Sequence, residues 1–273
     1  MADDKENENG ENAIKKLTLY VVIALVVGML LGVAVEEGFE ELFWDDDDEG
    51  DDDDEMSGLS IKFITDEPYT PAMDPTDFVS GVDNPYMPWT VGSRWTYEVD
   101  TEDGKEEIVV EVLDETKDVM GIECTVVRDT VTIDGELIED TWDWYAQDIH
   151  GNVWYMGEYS EEWEDGELLG TAGSWEGGVD GAYPGIIMFA DPIPGITYRQ
   201  EYYKGEAEDM GIVISLGESR TVPCGTYDSL LKTKDFSPLE PDVFAYKYYA
   251  PGIGVVLEEE DGELVELVSF EEG

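Results

Sequence analysis

Pairs of aspartate and glycine recur between runs of β-branched and aromatic residues, and their spacing leaves little room for helices. Asp103-Gly104 separates WTYEV from EEIVVEVLDE, and Asp134-Gly135 separates GIECTVVRDTVTI from LIEDTWDWYAQD. His150-Gly151-Asn152 leads into VWYMGEYSEEW, and Asp165-Gly166 leads into LLGTAGSW. A two-residue hairpin turn needs positive φ at its centre, which Asp, Asn and Gly tolerate, so such pairs between extended runs are a strong hairpin signal. Four of them within about seventy residues predict an antiparallel meander rather than βαβ units.

Extended runs return later in the chain as TYRQEYY, GIVISL, YDSLLKTKDF, VFAYKYY, GIGVVLEEE and ELVELVSF, with Asp261-Gly262 closing the last hairpin. The stretch from Gly173 to Pro194 reads as loop because of its Gly and Pro content. Outside the apolar segment no window sustains the 3.6-residue helical period. The expected fold is therefore all-β: about eleven strands in a strongly curved sheet, a half-barrel or a barrel, preceded by one N-terminal transmembrane helix. Residues 59–88 are rich in Pro and Asp, which disfavours helix and predicts an ordered lead-in across the domain.

Leu17 to Val35 carries no charge and is long enough to span a bilayer. Lys15 and Lys16 precede it and acids follow it, so the positive side is N-terminal and the rest of the chain is expected outside. A cleaved signal peptide competes, since Gly32-Val33-Ala34 resembles a cleavage site, but the run is long for such a segment and its leader is acidic. The expected organisation is an acidic cytoplasmic tail (1–16), a signal-anchor helix (17–35), an acidic disordered linker (36–57) and an extracytoplasmic β domain (58–273). Gly28 and Gly32 form a GxxxG, compatible with helix-mediated self-association.

Charge decides which partners are excluded. The chain holds 68 acidic and 14 basic residues, a formal net charge of −54. Nucleic acid is no natural partner for it, because phosphate binding depends on Lys and Arg. Five acids precede the apolar segment and fourteen lie in 36–55, so most of the excess belongs to the domain. Self-repulsion on that scale needs screening, which suits high salt, as in a halophilic, archaeal envelope, or abundant divalent cation.

Chemistry is sparse. A single histidine, His150, sits in a turn, which rules out multi-histidine metal sites and weakens a Ser-His-Asp reading. Cys124 and Cys224 are too few for a zinc site, and their spacing leaves a disulfide open. Hydrolysis by a carboxylate pair stays open as well, because with so many carboxylates no pair stands out. Trp142 and Trp144 alternate on one strand face with Trp154 across the hairpin, as either a core ladder or a platform for a lipid or carbohydrate. In YRQEYYKGEAEDM, strict alternation puts Tyr198, Gln200 and Tyr202 on one face and Arg199, Glu201 and Tyr203 on the other. Tyr198, Arg199 and Tyr202 are candidate ligand-binding residues, or an Arg–carboxylate pair that fixes a strand. Glu206, Glu208 and Asp209 are candidate oxygen ligands for Ca²⁺.

The succession DPTDF, NPYMPWTVGSRWTYE, ECTVVRDTV, DWYAQDIHGNVWYMGE, GSWEGGVDGAYPGIIM, TYRQEYYKGEAEDM and KYYAPGIGVVLEE, from about Asp74 to Phe270, resembles an uncharacterised family of secreted or lipid-anchored prokaryotic β-rich proteins. A wider resemblance is to half-barrel domains, some similar to periplasmic lipoprotein carriers that hold acyl chains in a concave face. The chain departs from the family in having an apolar anchor in place of a lipobox, and in placing Cys224 where an aromatic is expected. The resemblance implies a fold and no activity. Two functions are expected: a non-catalytic binding or structural domain displayed on the membrane, or a carrier of a hydrophobic ligand. A hydrolase is the remaining alternative. A carrier needs an open apolar concavity, whereas a structural module fills that space with its own Trp and Tyr.

Overall fold

The computed structural model describes residues 69–101 and 104–273; the tail, anchor and linker expected over 1–57, and Asp103 of the first turn, lie outside the described residues. The described residues form β1 (Phe78–Val79), β2 (Arg94–Thr101), β3 (Gly104–Val119), β4 (Ile122–Ile133), β5 (Glu136–Asp148), β6 (Val153–Glu164), β7 (Glu167–Gly170) and β8 (Trp175–Glu176). They continue with β9 (Tyr183–Met188), β10 (Thr197–Arg199), β11 (Glu201–Tyr202), β12 (Met210–Val222), β13 (Gly225–Ser237), β14 (Glu240–Ala250), β15 (Gly254–Glu260) and β16 (Glu263–Glu271). One short 3-10 turn, Pro75–Asp77, precedes β1, and no α-helix occurs among the described residues.

Every pairing is antiparallel, in the order β10-β12-β13-β14-β15-β16-β2-β3-β4-β5-β6-β9-β11. β10 and β11 are separated by Gln200 alone, so one continuous segment pairs with β12 on one side and β9 on the other. The two edges of the sheet are thereby joined into a nearly closed barrel, which removes the unpaired edges an open sheet would expose. The first-to-last contact is β16 against β2, with Leu267 opposite Tyr97.

The Asp-Gly turns behave as their chemistry requires. Asp134, Asp165 and Asp261 have φ of 51°, 53° and 48°, each followed by a positive-φ glycine. These tips, with the β13–β14 connection, lie at one end of the barrel, since successive antiparallel hairpins alternate ends. The lead-in covers the other end. Pro85 accepts from Gly252 N–H, Asn84 Nδ2 donates to the carbonyls of Gly151 and Phe189, and Trp89 meets Trp95 edge-on at 5.2 Å.

The barrel interior is the main core. Trp95, Tyr97, Ile108, Tyr145, Tyr155 and Tyr249 are all 3% exposed or less. Tyr145 and Tyr155 stack at 5.2 Å, Trp95 Nε1 donates to the Ile253 carbonyl at 2.7 Å, and Tyr97 Oη donates to the Val255 carbonyl at 3.0 Å. A second, smaller cluster lies on the outer face of β4, β5 and β6. It contains Ile122, Cys124, Val126, Trp144 and Met156, with Met73 and Phe78 of the lead-in packed over it.

Two local expectations are corrected. Residues 183–188, read as loop, are the wall strand β9. Gly185 is needed there, because a Cβ at that position would collide with the backbone of Gln200. The alternation expected through Tyr198–Tyr203 breaks at Gln200. The Asp209 carbonyl accepts from both Gln200 N (2.8 Å) and Glu201 N (3.4 Å), a bulge-like doubling that turns Glu201 inward. Cys124 and Cys224 are both free, the first in the outer cluster and the second in the β12–β13 turn against the main core.

Candidate functional site

The alternating pattern that builds a barrel wall also dictates which acids point inward. On β2, β3, β4 and β5 the inward set runs Tyr97 and Val99, Ile108 and Glu106, Val131 and Asp129, Glu139 and Asp143; Val99 is opposite Glu106, Val131 opposite Glu139, Asp129 opposite Thr141 and Asp143 opposite Val127. Asp143 stands directly opposite Glu158 of β6. On the far wall Asp235 of β13 faces Ala245, and Lys247 of β14 faces Glu258 of β15, with Glu260 two residues on. Glu201 and Asp209, at the closing segment, complete the set. The result is a column of carboxyl groups crossing the barrel and reaching toward the hairpin-tip end.

These groups are out of water. Glu106 and Glu258 are 0% exposed, Glu201 is 1%, Asp143 and Glu158 are 2%, and Asp235 is 3%. An ionised carboxylate buried without a partner is very costly, so such groups shift toward the neutral acid. Burial first, and then the like charges of Glu263 and Glu139, pushes Glu106 up to about 8. Burial raises Glu260 to about 9, with Glu258 adding to it and Lys247 opposing. Glu139 and Asp143 rise to about 7 for the same leading reason, partly offset by hydrogen bonds from Thr141 and Tyr155. Asp129, Glu158 and Glu201 stand well above the usual carboxylate range, again chiefly through burial and then through neighbouring acids.

Among the described residues, a few neutral donors and the ammonium of Lys247 serve the column. Tyr155 Oη donates to Asp143 Oδ1 at 2.7 Å, and Thr141 Oγ1 lies 3.1 Å from Glu139 Oε1 and 2.7 Å from Ser160 Oγ. Lys247 Nζ is 3.2 Å from Asp235 Oδ2 and is 1% exposed as a residue. Burial pulls the Lys247 ammonium down, yet Glu258 and Asp235 more than reverse this and hold it above its ordinary value. Among the described residues, both oxygens of Glu106 and both of Glu258 lack a hydrogen-bond partner. Among the described residues no three His, Cys, Asp or Glu side chains stand in an arrangement that could hold a metal ion.

The residues singled out from sequence fall in three places. Trp142, Trp144 and Trp154 do share a face, but it is the outer wall. Trp144 is nine-tenths buried under Lys117 (4.6 Å to the ring), while Trp142 is half-buried beside Arg128, which pairs with Asp140 through both carboxylate oxygens. Tyr198 points into the barrel against Phe189 at 4.9 Å. Arg199 and Tyr202 meet outside it, contrary to strict alternation, with the guanidinium 4.6 Å from the Tyr202 ring and 5.6 Å from Tyr69. Glu206 is exposed and Glu208 accepts from Gly205 N–H, whereas Asp209 is inside the barrel, so the three candidate calcium ligands are not gathered at one point.

A cleft of about 690 Å³ opens at the capped end, with Val79, Val91, Ile149, Trp89, Asp83 and His150 on its lining. Val79, Val91 and Ile149 are exposed there. Asp148 beneath it is committed to the turn. It accepts from His150 N, Asn152 N, Asn152 Nδ2 and Trp154 Nε1, and these bonds outweigh burial to hold it below the usual carboxylate range. A second cavity, between Met87, Trp89, Tyr97 and Tyr249, has room for about 10 Å³.

No family model matches the chain, and no curated protein matches it. Among solved structures it is similar to the crystal structure of a "putative lipoprotein" from Parabacteroides distasonis, at 14% identity and a TM-score of 0.37, covering 69% of this chain and 99% of that one.

Proposed function

We propose that the chain is a membrane-anchored, surface-displayed barrel with a non-catalytic structural or binding role in a high-salt or cation-rich envelope. The observation that supports this reading over a carrier is the occupied interior. The concave face a carrier would leave open is filled by Trp95, Tyr97, Tyr145, Tyr155 and Tyr249, each 3% exposed or less. An acyl chain needs a dry apolar cavity of several hundred Å³, and the small cavity beside Trp89 has about 10 Å³. The external cleft lined by Val79, Val91 and Ile149 is the open surface that a binding role uses. The envelope assignment rests on the uncharged run Leu17–Val35 and the net charge of −54.

Native mass spectrometry of the detergent-solubilised chain, purified without added ligand, tests this reading. A mass equal to the polypeptide, with or without bound ions, is expected. A co-purifying acyl or other apolar mass overturns it in favour of the carrier.

A further inference from the structure

Among the described residues, the acids Asp143, Glu158, Glu106 and Glu258 inside the barrel meet little opposite charge. Facing the central pair, Asp143 and Glu158, are Asp129 from β4, Glu139 from β5, Glu201 from β11, Asp209 from the loop before β12, the hydroxyl of Tyr145, and Tyr155, which donates to Asp143. Toward the far wall stand Asp235 of β13, Lys247 of β14, and Glu258 and Glu260 of β15. At the tip end Glu106 of β3 faces Glu263 of β16. Among the described residues Lys247 is a buried cation set against these acids, 3.2 Å from Asp235. Like charges directly opposite one another on a ladder destabilise it, and Asp143 is opposite Glu158. Within the cluster, Glu106 and Glu258 are fully buried inward-facing carboxyls, each with both oxygens lacking a donor among the described residues.

We infer that the barrel core is a proton-binding site: its opposed carboxyls hold protons in the folded state at neutral pH, and losing those protons loosens the barrel. The raised carboxyl range found for Glu106, Glu139, Asp143, Glu258 and Glu260 agrees with this geometry. A neutral acid is both donor and acceptor, so a proton on either of Asp143 and Glu158 removes their repulsion and adds a hydrogen-bond donor to the core. Tightly packed oxygens with so little exposure leave the proton as the neutralising ion that needs no room. The inference does not depend on the proposed envelope role.

The sign of the pH dependence follows from proton counting. Between the ordinary carboxylate range and the raised one, the folded chain binds more protons than the unfolded chain, so stability falls as pH rises. Each group held protonated changes the folded-to-unfolded ratio about tenfold per pH unit in that window. The test is urea unfolding of the full chain in detergent, followed by Trp fluorescence at pH 5, 7 and 9, for the wild type, Glu158→Gln and Glu106→Gln. Glutamine keeps the shape and the hydrogen of the neutral acid. The expected result is a wild-type midpoint that falls steadily from pH 5 to pH 9, and a shallower fall in each variant that folds. A wild-type midpoint that is flat or rises over this range overturns the inference. So does a midpoint that ignores pH and instead follows added CaCl₂ or NaCl, because cations rather than protons would then neutralise the core.

Discussion

Lys247 Nζ lies 3.2 Å from Asp235 Oδ2 inside the barrel, and neither residue is more than 3% exposed. Removing one partner of a buried pair leaves an uncompensated charge, which costs about 3–5 kcal/mol when it cannot be neutralised. Here the neighbours can take up protons, so the cost should depend on pH. Lys247→Met is expected to lower stability by about 3 kcal/mol or more at pH 8 and by clearly less at pH 5. Urea unfolding at the two pH values checks this; an equal loss at both contradicts it.

Asp148 predicts the opposite pH response at the other end of the barrel. Four donors converge on its carboxylate and hold it below the usual range. Its contribution is present above the unfolded pKa and is lost as pH falls through the folded one. Asp148→Asn is expected to cost about 1–3 kcal/mol near pH 6, with much of the difference gone near pH 3. Paired thermal melts at the two pH values measure it.

Closure of the barrel depends on how closely β9 approaches the segment at Gln200. Gly185→Ala places a methyl group into the Gln200 backbone and should cost about 3 kcal/mol or abolish folding. Gly170→Ala, in open space on β7, should stay within about 0.5 kcal/mol of the wild type. Comparable losses in the two variants would mean that the close approach is not what holds the closure.

The thiols offer an inexpensive probe of the two clusters. Cys124 is fully buried and its thiol is pushed up to about 12 by burial, so it should resist a thiolate-directed reagent until the chain unfolds. Cys224, half-buried in the β12–β13 turn, should react in the native state. Ellman titration is expected to count one thiol folded and two in denaturant.

Much of this architecture can be read locally, and the unread part has identifiable causes. The Asp134, Asp165 and Asp261 turns and the strands they join follow from short-range conformational preference, and register then fixes which side chains meet. β9 was hidden because Pro184 and Gly185 look like loop residues, while their reason for being there is a contact with Gln200 from a distant part of the chain. Alternation places the candidate ligand residues Arg199 and Tyr202 on opposite faces because it cannot anticipate the doubling at Asp209. The carboxyl column was hidden differently. On β5 the acids Glu139 and Asp143 face inward while Asp140 faces outward to Arg128, so polarity does not report the face. Among 68 acids, only the register singles out the inward ones.

The central claim, that the folded barrel retains protons its unfolded chain gives up, can be measured without any variant. The full chain in detergent and unbuffered salt solution at pH 7 is mixed with neutral urea, and the base or acid needed to hold the pH is titrated against a protein-free blank. Glu106, Glu258, Glu260, Glu139 and Asp143 have raised carboxyl ranges when folded and ordinary ones when unfolded, so unfolding should release more than one proton per chain. No release, or a net uptake of protons, would contradict the account.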